Sequence, residues 1–270
     1  MNAFLPALQT RGLAVSIDGR WVVKDLDLNL ERGELTIIVG PNGAGKTTLM
    51  RALAGLETSW GEVQVGGVPL DQLDLRTRAR AISYLPQGHV FHWPMTVTDV
   101  VALGRVPHGS GLAGLSDADR MAISDAMVDT ETIDLAERPV TSLSGGERAR
   151  VALARALAVS APVLLADEPA ALLDPRYQLR ILETLTHQAD DGVAVVAVLQ
   201  DLSLAARFGD RILVMNEGEI VADGPPDKVI KPDLLRRVFG VSSTVVERNG
   251  SRFALPWSVL PRKPQDGDGS

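Results

Sequence analysis

LTIIVGPNGAGKTTLMRALAGL, residues 35 to 56, joins an apolar segment, a glycine-rich turn and a helical pattern without interruption. The segment Leu35 to Val39 is continuously apolar, as expected for a buried strand. Beyond the turn, leucines recur at helical spacing, and Gly55 stands where the helix should end. These leucines are Leu49, Leu53 and Leu56. The stretch therefore predicts a strand, a loop and a helix in that order.

The turn within this stretch fits the phosphate-loop pattern G-x4-G-K-[ST]. Glycines there allow backbone N–H groups to close around phosphate oxygens, and the positive end of the following helix favours an anion. We expect Lys46 to reach the β and γ phosphates of a nucleotide and the Thr47 hydroxyl to hold Mg²⁺. A glycine-rich turn that binds no ligand would give no reason for the Lys-Thr pair. The predicted nucleotide-binding residues are Gly40, Pro41, Asn42, Gly43, Ala44, Gly45, Lys46, Thr47 and Thr48.

Composition excludes several kinds of protein. The chain has 270 residues, of which 45% are hydrophobic, enough for one large domain with an insertion. Its net charge of −7 and the lack of a concentrated basic stripe argue against nucleic acid as a partner. The absence of cysteine excludes disulfides and thiolate metal sites. Since no apolar run approaches the ~20 residues that span a bilayer, work at a membrane would require docking onto a spanning partner.

Two kinds of strand pattern bracket a helical region. Residues 8 to 30 contain two strand-like pieces, Leu13 to Ile17 and Trp21 to Leu30, and the turn Asp18-Gly19 between them predicts a hairpin. In the second piece, residues 25 to 30 alternate between polar and apolar, as expected when one face of a sheet meets solvent. Continuous apolar runs at Val163 to Ala166 and Val193 to Leu199 predict parallel strands that are buried on both faces. Between these regions, residues 88 to 160 carry helix caps and helical periodicity, so we expect a helical insertion.

The predicted domain organisation follows from these segments. Residues 1 to 240 form a nucleotide-binding domain that includes the helical insertion. Asn249-Gly250, between two short apolar runs, predicts a C-terminal β-hairpin over residues 241 to 260. Residues 261 to 270 are rich in Pro, Gly and Asp, so we expect a disordered tail.

Two adjacent carboxylates, Asp167 and Glu168, follow the first continuous apolar run. In open α/β sheets, ligands bind at the carboxyl ends of the strands. We expect Asp167 to hold Mg²⁺ and Glu168 to act as the general base that polarises an attacking water. By themselves two acids at a strand end would be solvated surface groups. Together with the phosphate loop they predict hydrolysis of a γ phosphate.

The stretch LSGGER, residues 143 to 148, opens a helix within the predicted insertion. Ser144 and Glu147 have the spacing of a capping box, which a well-capped helix alone would explain. Gly145 and Gly146 in the first turn each cost roughly 1 kcal/mol relative to Ala. We therefore expect their missing side chains to admit a ligand to the helix N-terminus, as a second anion site. Two separated phosphate-binding pieces in one chain suggest that two chains enclose the nucleotide.

In order, the phosphate loop, Pro86-Gln87, LSGGE, LLADEP and Leu173-Asp174 resemble the motif set of ATP-binding cassette (ABC) ATPases over residues 8 to 240. The resemblance implies an α/β fold: a P-loop NTPase with a RecA-like mixed sheet core, an N-terminal antiparallel β-subdomain and an inserted α-helical subdomain. It also implies ATP and Mg²⁺ as cofactors and a head-to-tail homodimer that encloses two ATP molecules. Gln87 would contact Mg²⁺ and the attacking water. Asp174 would be a dimer contact or only a helix N-cap.

Within this family, two stretches are similar to importers of metal chelates such as siderophores, haem and cobalamin. They are Val101 to Arg105 with Pro107-His108, and Gln200 to Ala206. The resemblance implies an ATPase at the cytoplasmic face of the plasma membrane, bound to multi-span permease subunits and served indirectly by a periplasmic or extracellular substrate-binding protein. Two rivals remain open: a nucleotide-gated subunit with weak hydrolysis, and the ATPase of another ABC transporter, such as an exporter.

The chain departs from the family's motifs near the expected nucleotide. Gln200 stands at the position of the switch histidine, and its amide can donate to the γ phosphate but cannot carry a proton. We expect Gln200 to keep the positioning role while turnover is slow. Ile17 stands where the family tends to place an aromatic ring under adenine. Trp21 could replace that ring, or it packs in the sheet.

Aromatic and imidazole side chains also follow Gln87. We expect Phe91, His92 and Trp93 to be exposed and to border the groove that receives a permease helix, with packing inside the insertion as the alternative. The histidines at 89, 92 and 108 have no carboxylate or cysteine at ligand spacing. We therefore expect surface histidines rather than a metal site.

Overall fold

The computed structural model describes residues 5–110, 114–248 and 251–260. Two predictions, the disordered tail at 261–270 and the Asn249-Gly250 turn, lie outside the described residues. Within those ranges the strands are β1 (Leu8–Ile17), β2 (Arg20–Leu30), β3 (Leu35–Val39), β4 (Trp60–Val65), β5 (Val68–Pro69), β6 (Ile82–Leu85), β7 (Val163–Asp167), β8 (Ala194–Val198), β9 (Arg211–Asn216), β10 (Glu219–Gly224), β11 (Val241–Arg248) and β12 (Ser251–Val259). The α-helices are α1 (Lys46–Leu53), α2 (Leu75–Ala81), α3 (Val97–Ala102), α4 (Asp117–Asp129), α5 (Gly145–Leu157), α6 (Pro175–Asp190), α7 (Leu202–Phe208), α8 (Pro226–Val229) and α9 (Pro232–Phe239).

A six-stranded mixed sheet forms the centre of the molecule, in the order β10-β9-β3-β8-β7-β6. Its strands are parallel except for β10, which pairs antiparallel with β9 at one edge. Side chains alternate between two cores, so that Leu35 and Ile37 pack on one face of the sheet and Ile38 packs on the other. Both faces are therefore buried, which explains the continuous apolar runs. The predicted α/β class with a mixed sheet is confirmed.

A second sheet, with the antiparallel order β2-β1-β4-β5, lies against α1 on one side of the central sheet. Leu13 and Val15 of β1 share a core with Leu49 of α1 and Ile38 of β3. This is the predicted N-terminal antiparallel β-subdomain. Its packing fixes β2 beside the loop between β3 and α1, since Val22 O lies near Gly45.

The region between β6 and β7 is helical and has its own apolar core, to which α3, α4 and α5 contribute. Thr96 caps α3, Ser116 and Asp119 form a capping box on α4, and Ser144 begins α5 in the same way. The buried ion pair of Arg105 and Asp119, 2.8 Å between Nε and Oδ1, ties the 3-10 helix after α3 to α4. Because α5 leads directly into β7, this helical region is anchored to the strand that ends in Asp167.

The C-terminal part returns to the central layer through α8 and α9 and ends in the antiparallel pair β11 and β12. β12 packs along α7, and β11 packs along α9. Among the described residues, no helix combines the length and the apolar character needed to cross a membrane.

Candidate nucleotide-binding and hydrolysis site

The phosphate loop connects β3 to α1, and Lys46 is the first residue of that helix. Lys46 is 6% exposed, and its Nζ donates to the carbonyls of Gly40 at 2.8 Å and Pro41 at 2.9 Å. Burial lowers the pKa of Lys46, while the charges of Glu168 and Asp167 raise it. The ammonium therefore donates to loop carbonyls from a position where phosphate oxygens could replace them.

Two glycines show why this loop excludes larger residues. Gly45 has φ +100°, and a Cβ there would lie 2.4 Å from Val22 O. Gly43 has φ +81° and nothing within 4 Å of its Cβ position, so its backbone faces open space. An open cavity of about 370 Å³ begins there, lined by Val22, Asn42, Gly43, Gly45, Lys46, Thr47, Thr48, Gln87, Glu168 and Gln200. Ala44 is buried and Gly40 packs on Met215, so these two residues hold the loop against the core.

Asp167 ends β7 and is completely buried. The Tyr84 hydroxyl donates to Asp167 Oδ2 at 3.4 Å, whereas Asp167 Oδ1 has no hydrogen-bond partner in the described part of the chain. Burial raises the pKa of Asp167 and the charge of Glu168 adds to this shift, while hydrogen bonds from Thr47 and Tyr84 and the charge of Lys46 lower it. A buried carboxylate oxygen without a partner is unfavourable unless a ligand satisfies it. Because Mg²⁺ prefers carboxylate and hydroxyl oxygens, Asp167 and Thr47 fit that ion.

One carboxylate oxygen of Glu168 accepts hydrogen bonds from two side-chain amides. Gln87 Nε2 and Gln200 Nε2 each donate to Glu168 Oε2 at 2.8 Å. These residues come directly after three neighbouring strands, β6, β7 and β8, whose carboxyl ends meet at this edge of the sheet. The sheet thus brings together side chains that are 81 and 32 residues apart in sequence. The arrangement orients a carboxylate at the rim of the phosphate-loop cavity.

The Ser144 to Glu147 motif forms the capping box that its spacing predicts. Glu147 Oε2 accepts from Ser144 N at 2.7 Å, and Ser144 Oγ accepts from Glu147 N at 3.3 Å. Gly145 has open space at its Cβ position, as expected for a ligand approach. Gly146 does not: its Cβ position lies 2.6 Å from Cδ2 of Tyr177, so this glycine accommodates a ring of the same chain. The motif lies outside the lining of the phosphate-loop cavity in the described chain.

Asp174 caps α6, because its Oδ1 accepts from Arg176 N at 3.0 Å and Tyr177 N at 3.3 Å. This is the helix-cap alternative of the two that the sequence left open, and a dimer contact by Asp174 stays a prediction. Two residues before it, Leu172 has φ +60° and is fully exposed. The segment from Glu168 to Asp174 therefore presents an apolar side chain to its surroundings.

Comparison with known proteins decides the family. A family model described as ABC transporter matches residues 23–171. This chain belongs to the ABC transporter family. It is 41% identical over 263 residues to the hemin import ATP-binding protein of Rhodococcus jostii (strain RHA1), covering 96% of this chain and 87% of that protein. It is 35% identical to the iron(3+)-hydroxamate import ATP-binding protein of Bacillus subtilis (strain 168), and this match covers 96% of this chain and 98% of that protein.

A solved dimeric cassette of a bacterial ABC transporter has the same fold. Its TM-score is 0.72 at 28% identity, and the match covers 81% of this chain and 98% of that chain. The chain is therefore a nucleotide-binding ABC ATPase subunit with the P-loop NTPase fold.

The structure of this ABC cassette shows how the residues considered for base stacking are packed. Trp21 packs edge-to-face on Trp60, with ring centroids 5.0 Å apart, at the rim of the antiparallel sheet. Ile17 is 41% exposed and has no ring to stack. Of the residues around it on β2, Val22 is the one that lines the phosphate-loop cavity. Trp21 therefore packs on Trp60 while staying 54% exposed, and base stacking by Trp21 stays a prediction.

Two predictions for the residues after Gln87 need correction. Phe91 is not exposed, because its ring packs between the central core and the helical core; Trp93, at 74% exposure, is exposed as predicted. His89 and His108 are half-buried rather than surface residues, and His108 Nε2 lies 2.9 Å from Val159 O. The described residues contain no group of three or more His, Cys, Asp or Glu that could hold a metal ion.

Sequence reasoning missed two residues of the site. Tyr84 contacts Asp167 from β6, and Val22 supplies the backbone carbonyl beside Gly45. A signal for Tyr84 existed, because it stands on a short strand directly before Pro86-Gln87. No signal existed for Val22, because it contacts the loop through its backbone, which sequence patterns do not report.

Proposed function

We propose that this ABC cassette hydrolyses MgATP to drive a membrane permease that imports a metal chelate. The observation that carries the hydrolytic part is the convergence of two amides on Glu168. Gln87 and Gln200 each donate to the same carboxylate oxygen at 2.8 Å, beside the cavity of the phosphate loop. A carboxylate that is oriented in this way can accept the proton of an attacking water.

The other groups around the cavity have defined tasks in this reaction. Lys46 exchanges the carbonyls of Gly40 and Pro41 for β and γ phosphate oxygens, and the loop amides enclose the phosphates. Asp167, Thr47 and Gln87 would hold Mg²⁺. When bound, Mg²⁺ neutralises the charge that develops on the phosphates. Gln200 donates to the γ phosphate or to Glu168, so it positions without transferring a proton.

A second chain is needed to complete each ATP site. Ser144 and Gly145 stand at an exposed helix N-terminus that does not line the phosphate-loop cavity of its own chain. A helix N-terminus with an open glycine binds anions. A head-to-tail homodimer would bring this motif to the γ phosphate on the partner's loop, and the dimeric cassette with the same fold supports that arrangement.

The cargo and the membrane location rest on the relatives. Proteins at 35% and 41% identity are named as import subunits for iron(3+)-hydroxamate and hemin. We infer that this chain works at the cytoplasmic face of the plasma membrane on a multi-span permease, with a substrate-binding protein outside that delivers a metal chelate. The permease carries the cargo specificity, because the ATPase subunit does not contact the cargo.

A nucleotide-gated subunit with weak hydrolysis is the second candidate, and Gln200 is the observation that favours it. An amide cannot carry the proton or charge that an imidazole can. In that case the chain would close on ATP and reopen slowly.

The test compares ATP hydrolysis by the native chain, Glu168→Gln and Gln200→His, each with Mg²⁺. We expect turnover by the native chain and a loss of at least about a hundredfold in Glu168→Gln, which should accumulate as an ATP-bound dimer. Rapid hydrolysis by Glu168→Gln would show that Glu168 is not the base. Turnover that appears only in Gln200→His would support the nucleotide-gated alternative.

The import proposal is tested separately in vesicles that contain the permease and this chain. ATP enclosed with the chain should drive uptake of haem, a ferric hydroxamate or cobalamin. The Glu168→Gln complex is the matched control and should not transport. Net movement of cargo out of the vesicles, away from the side that holds ATP, would show an exporter.

A further inference from the structure

The aromatic ring of Tyr177 occupies the space that Gly146 leaves open. A Cβ on Gly146 would lie 2.6 Å from Cδ2, 2.9 Å from Cε2 and 3.0 Å from Cγ of that ring. Gly146 lies within the regular helix α5, and its φ is not in the left-handed region. Its backbone conformation would therefore accept alanine, and the ring of Tyr177 is what excludes a side chain there.

Arg150 holds the same ring from the next turn of α5. Its guanidinium carbon lies 5.2 Å from the centroid of the Tyr177 ring, within cation–π distance. Residues 146 and 150 are four apart and therefore share one face of the helix. Arg150 Nη1 also donates to the carbonyls of Thr130 and Glu131, just after α4. The Tyr177 ring therefore lies between the backbone of Gly146 and the guanidinium of Arg150. The same arginine also bonds to the residues that follow α4.

Tyr177 also belongs to the first turn of α6, which follows the segment from Glu168 to Asp174. Asp174 accepts from the backbone N of Tyr177 at 3.3 Å, so the capped turn carries the ring. The ring therefore connects two candidate site segments within one chain. One segment contains the expected base of this chain's own ATP site, and the other contains the motif expected to complete the partner's site.

We propose that Tyr177 is a positioning residue that couples the two ATP sites of the dimer. Its ring sets the position of the helix that carries Ser144 and Gly145 relative to the segment that begins at Glu168. A shift of that segment when ATP binds or is hydrolysed at one site then moves the motif that contacts the other ATP. This inference rests on the proposed function, since it needs the head-to-tail dimer.

The test uses the Glu168→Gln chain as parent and measures the ATP concentration for half-maximal dimer formation. Four derivatives are compared: Gly146→Ala, Tyr177→Ala, the Gly146→Ala/Tyr177→Ala double variant and Tyr177→Phe. We expect Gly146→Ala to raise this concentration by about tenfold, because an overpacked ring must move the helix. Removing the ring should relieve the clash, so the double variant should match Tyr177→Ala within about threefold. Tyr177→Phe should match the parent, because the argument uses the ring and not the hydroxyl.

A second readout separates coupling from simple folding. In a chain with native Glu168, Tyr177→Ala should lower the Hill coefficient for ATP hydrolysis towards one, and Tyr177→Phe should keep the native value. A double variant no better than Gly146→Ala would show that nucleotide, and not the ring, requires the glycine. An unchanged Hill coefficient in Tyr177→Ala would overturn the coupling. A parent that does not dimerise in ATP would contradict the proposed function instead. The thermal unfolding midpoints of the same variants would then still show whether the Tyr177 ring excludes a side chain at residue 146.

Discussion

At the scale of single residues, Glu168 combines an unusual backbone with two amide partners. Its φ of +50° is uncommon for a residue other than glycine and costs of order 1 kcal/mol. Such strain persists where the surroundings determine the conformation. Here the surroundings are the end of a fully buried strand and the amides of Gln87 and Gln200. This conformation places the carboxylate at the cavity instead of in solvent.

Gln200→Leu tests the amide contribution directly. Loss of one hydrogen bond to a charged group costs roughly 1.5–3 kcal/mol, so we expect kcat for ATP hydrolysis to fall by about ten- to a hundredfold. Gln188→Leu is the matched control, because Gln188 bonds to Asp129 instead of to the site. Equal kcat values for the two variants would show that Gln200 does not orient Glu168.

Tyr84 offers a spectroscopic test of the buried Asp167. Burial, followed by the charge of Asp167, raises the pKa of Tyr84 from its ordinary 10.0 to about 12. In Tyr177→Phe it is the sole tyrosine, because the chain has two. Its ultraviolet titration should have a midpoint near 12, with circular dichroism recorded at each pH. A midpoint at 10.0 in the folded protein would contradict the burial of this hydroxyl.

The sign of the linked stability change follows from the same pKa. Above pH 10.0 the unfolded chain loses the Tyr84 proton while the folded chain keeps it until about 12. The unfolded state then binds fewer protons, so the free energy of unfolding falls as pH rises through this window. Tyr84→Phe should remove that part of the pH dependence.

At the scale of elements, the stretch that resembles chelate importers has a structural explanation. Arg105 is buried, and it bonds to Asp119 Oδ1 at 2.8 Å and to Ala158 O at 2.7 Å. His108 Nε2 lies 2.9 Å from Val159 O. These contacts fasten the 3-10 helix after α3 to α4 and to the end of α5. The stretch therefore stabilises the helical subdomain through contacts within the chain.

Asp119→Asn should destabilise this subdomain because it leaves a buried guanidinium without its carboxylate. We expect its thermal unfolding midpoint to fall by several degrees more than that of Asp117→Asn. Asp117 is the control because it pairs with Arg120 in full exposure. Equal midpoints for the two variants would show that the Arg105 pair adds no stability.

The pH dependence of this pair has a defined direction. Hydrogen bonds from Ser110, Ser116 and Arg105 hold the pKa of Asp119 well below its usual 3.8. A depressed carboxyl pKa gives stability that is complete above pH 3.8 and is lost as pH falls towards the folded pKa. The difference between native and Asp119→Asn midpoints should therefore be constant from pH 5 to 7 and decrease below about pH 4.

At the scale of the whole molecule, three exposed features suggest where partners bind. Leu172 is fully exposed on the segment after Glu168, and Ser144 stands at an open helix N-terminus. Both are candidates for the contact with a second copy. Trp93, 74% exposed after Gln87, lies beside the helical subdomain and is a candidate for the permease contact.

Trp93→Ala tests the permease contact in the assembled transporter. We expect weaker co-purification with the permease and loss of transport-coupled ATP hydrolysis, while the isolated chain hydrolyses ATP as before. Trp257→Ala is the matched control, because Trp257 is 84% exposed on the C-terminal hairpin. Intact assembly and transport by Trp93→Ala would remove this surface from the proposal.

Sequence alone determined the motifs whose chemistry is local. Three kinds of feature depend on neighbours within a few residues, which spacing reports directly: the phosphate loop, the pair Asp167-Glu168 at the end of an apolar run, and the helix caps at Ser116 and Ser144. The parallel strands were readable because burial on both faces leaves continuous apolar runs. Family resemblance added the meaning of Gln87 and Gln200, which spacing does not supply.

The tertiary structure alone decided which distant groups meet. It brought Gln87 and Gln200 to one oxygen of Glu168, packed the partly buried Phe91 against two cores and placed Tyr177 against Gly146. Each of these depends on the packing of elements that are far apart in sequence, and side-chain periodicity carries no record of the partner. Gly146 shows the physical reason most clearly, because the residue that excludes its side chain lies on another helix.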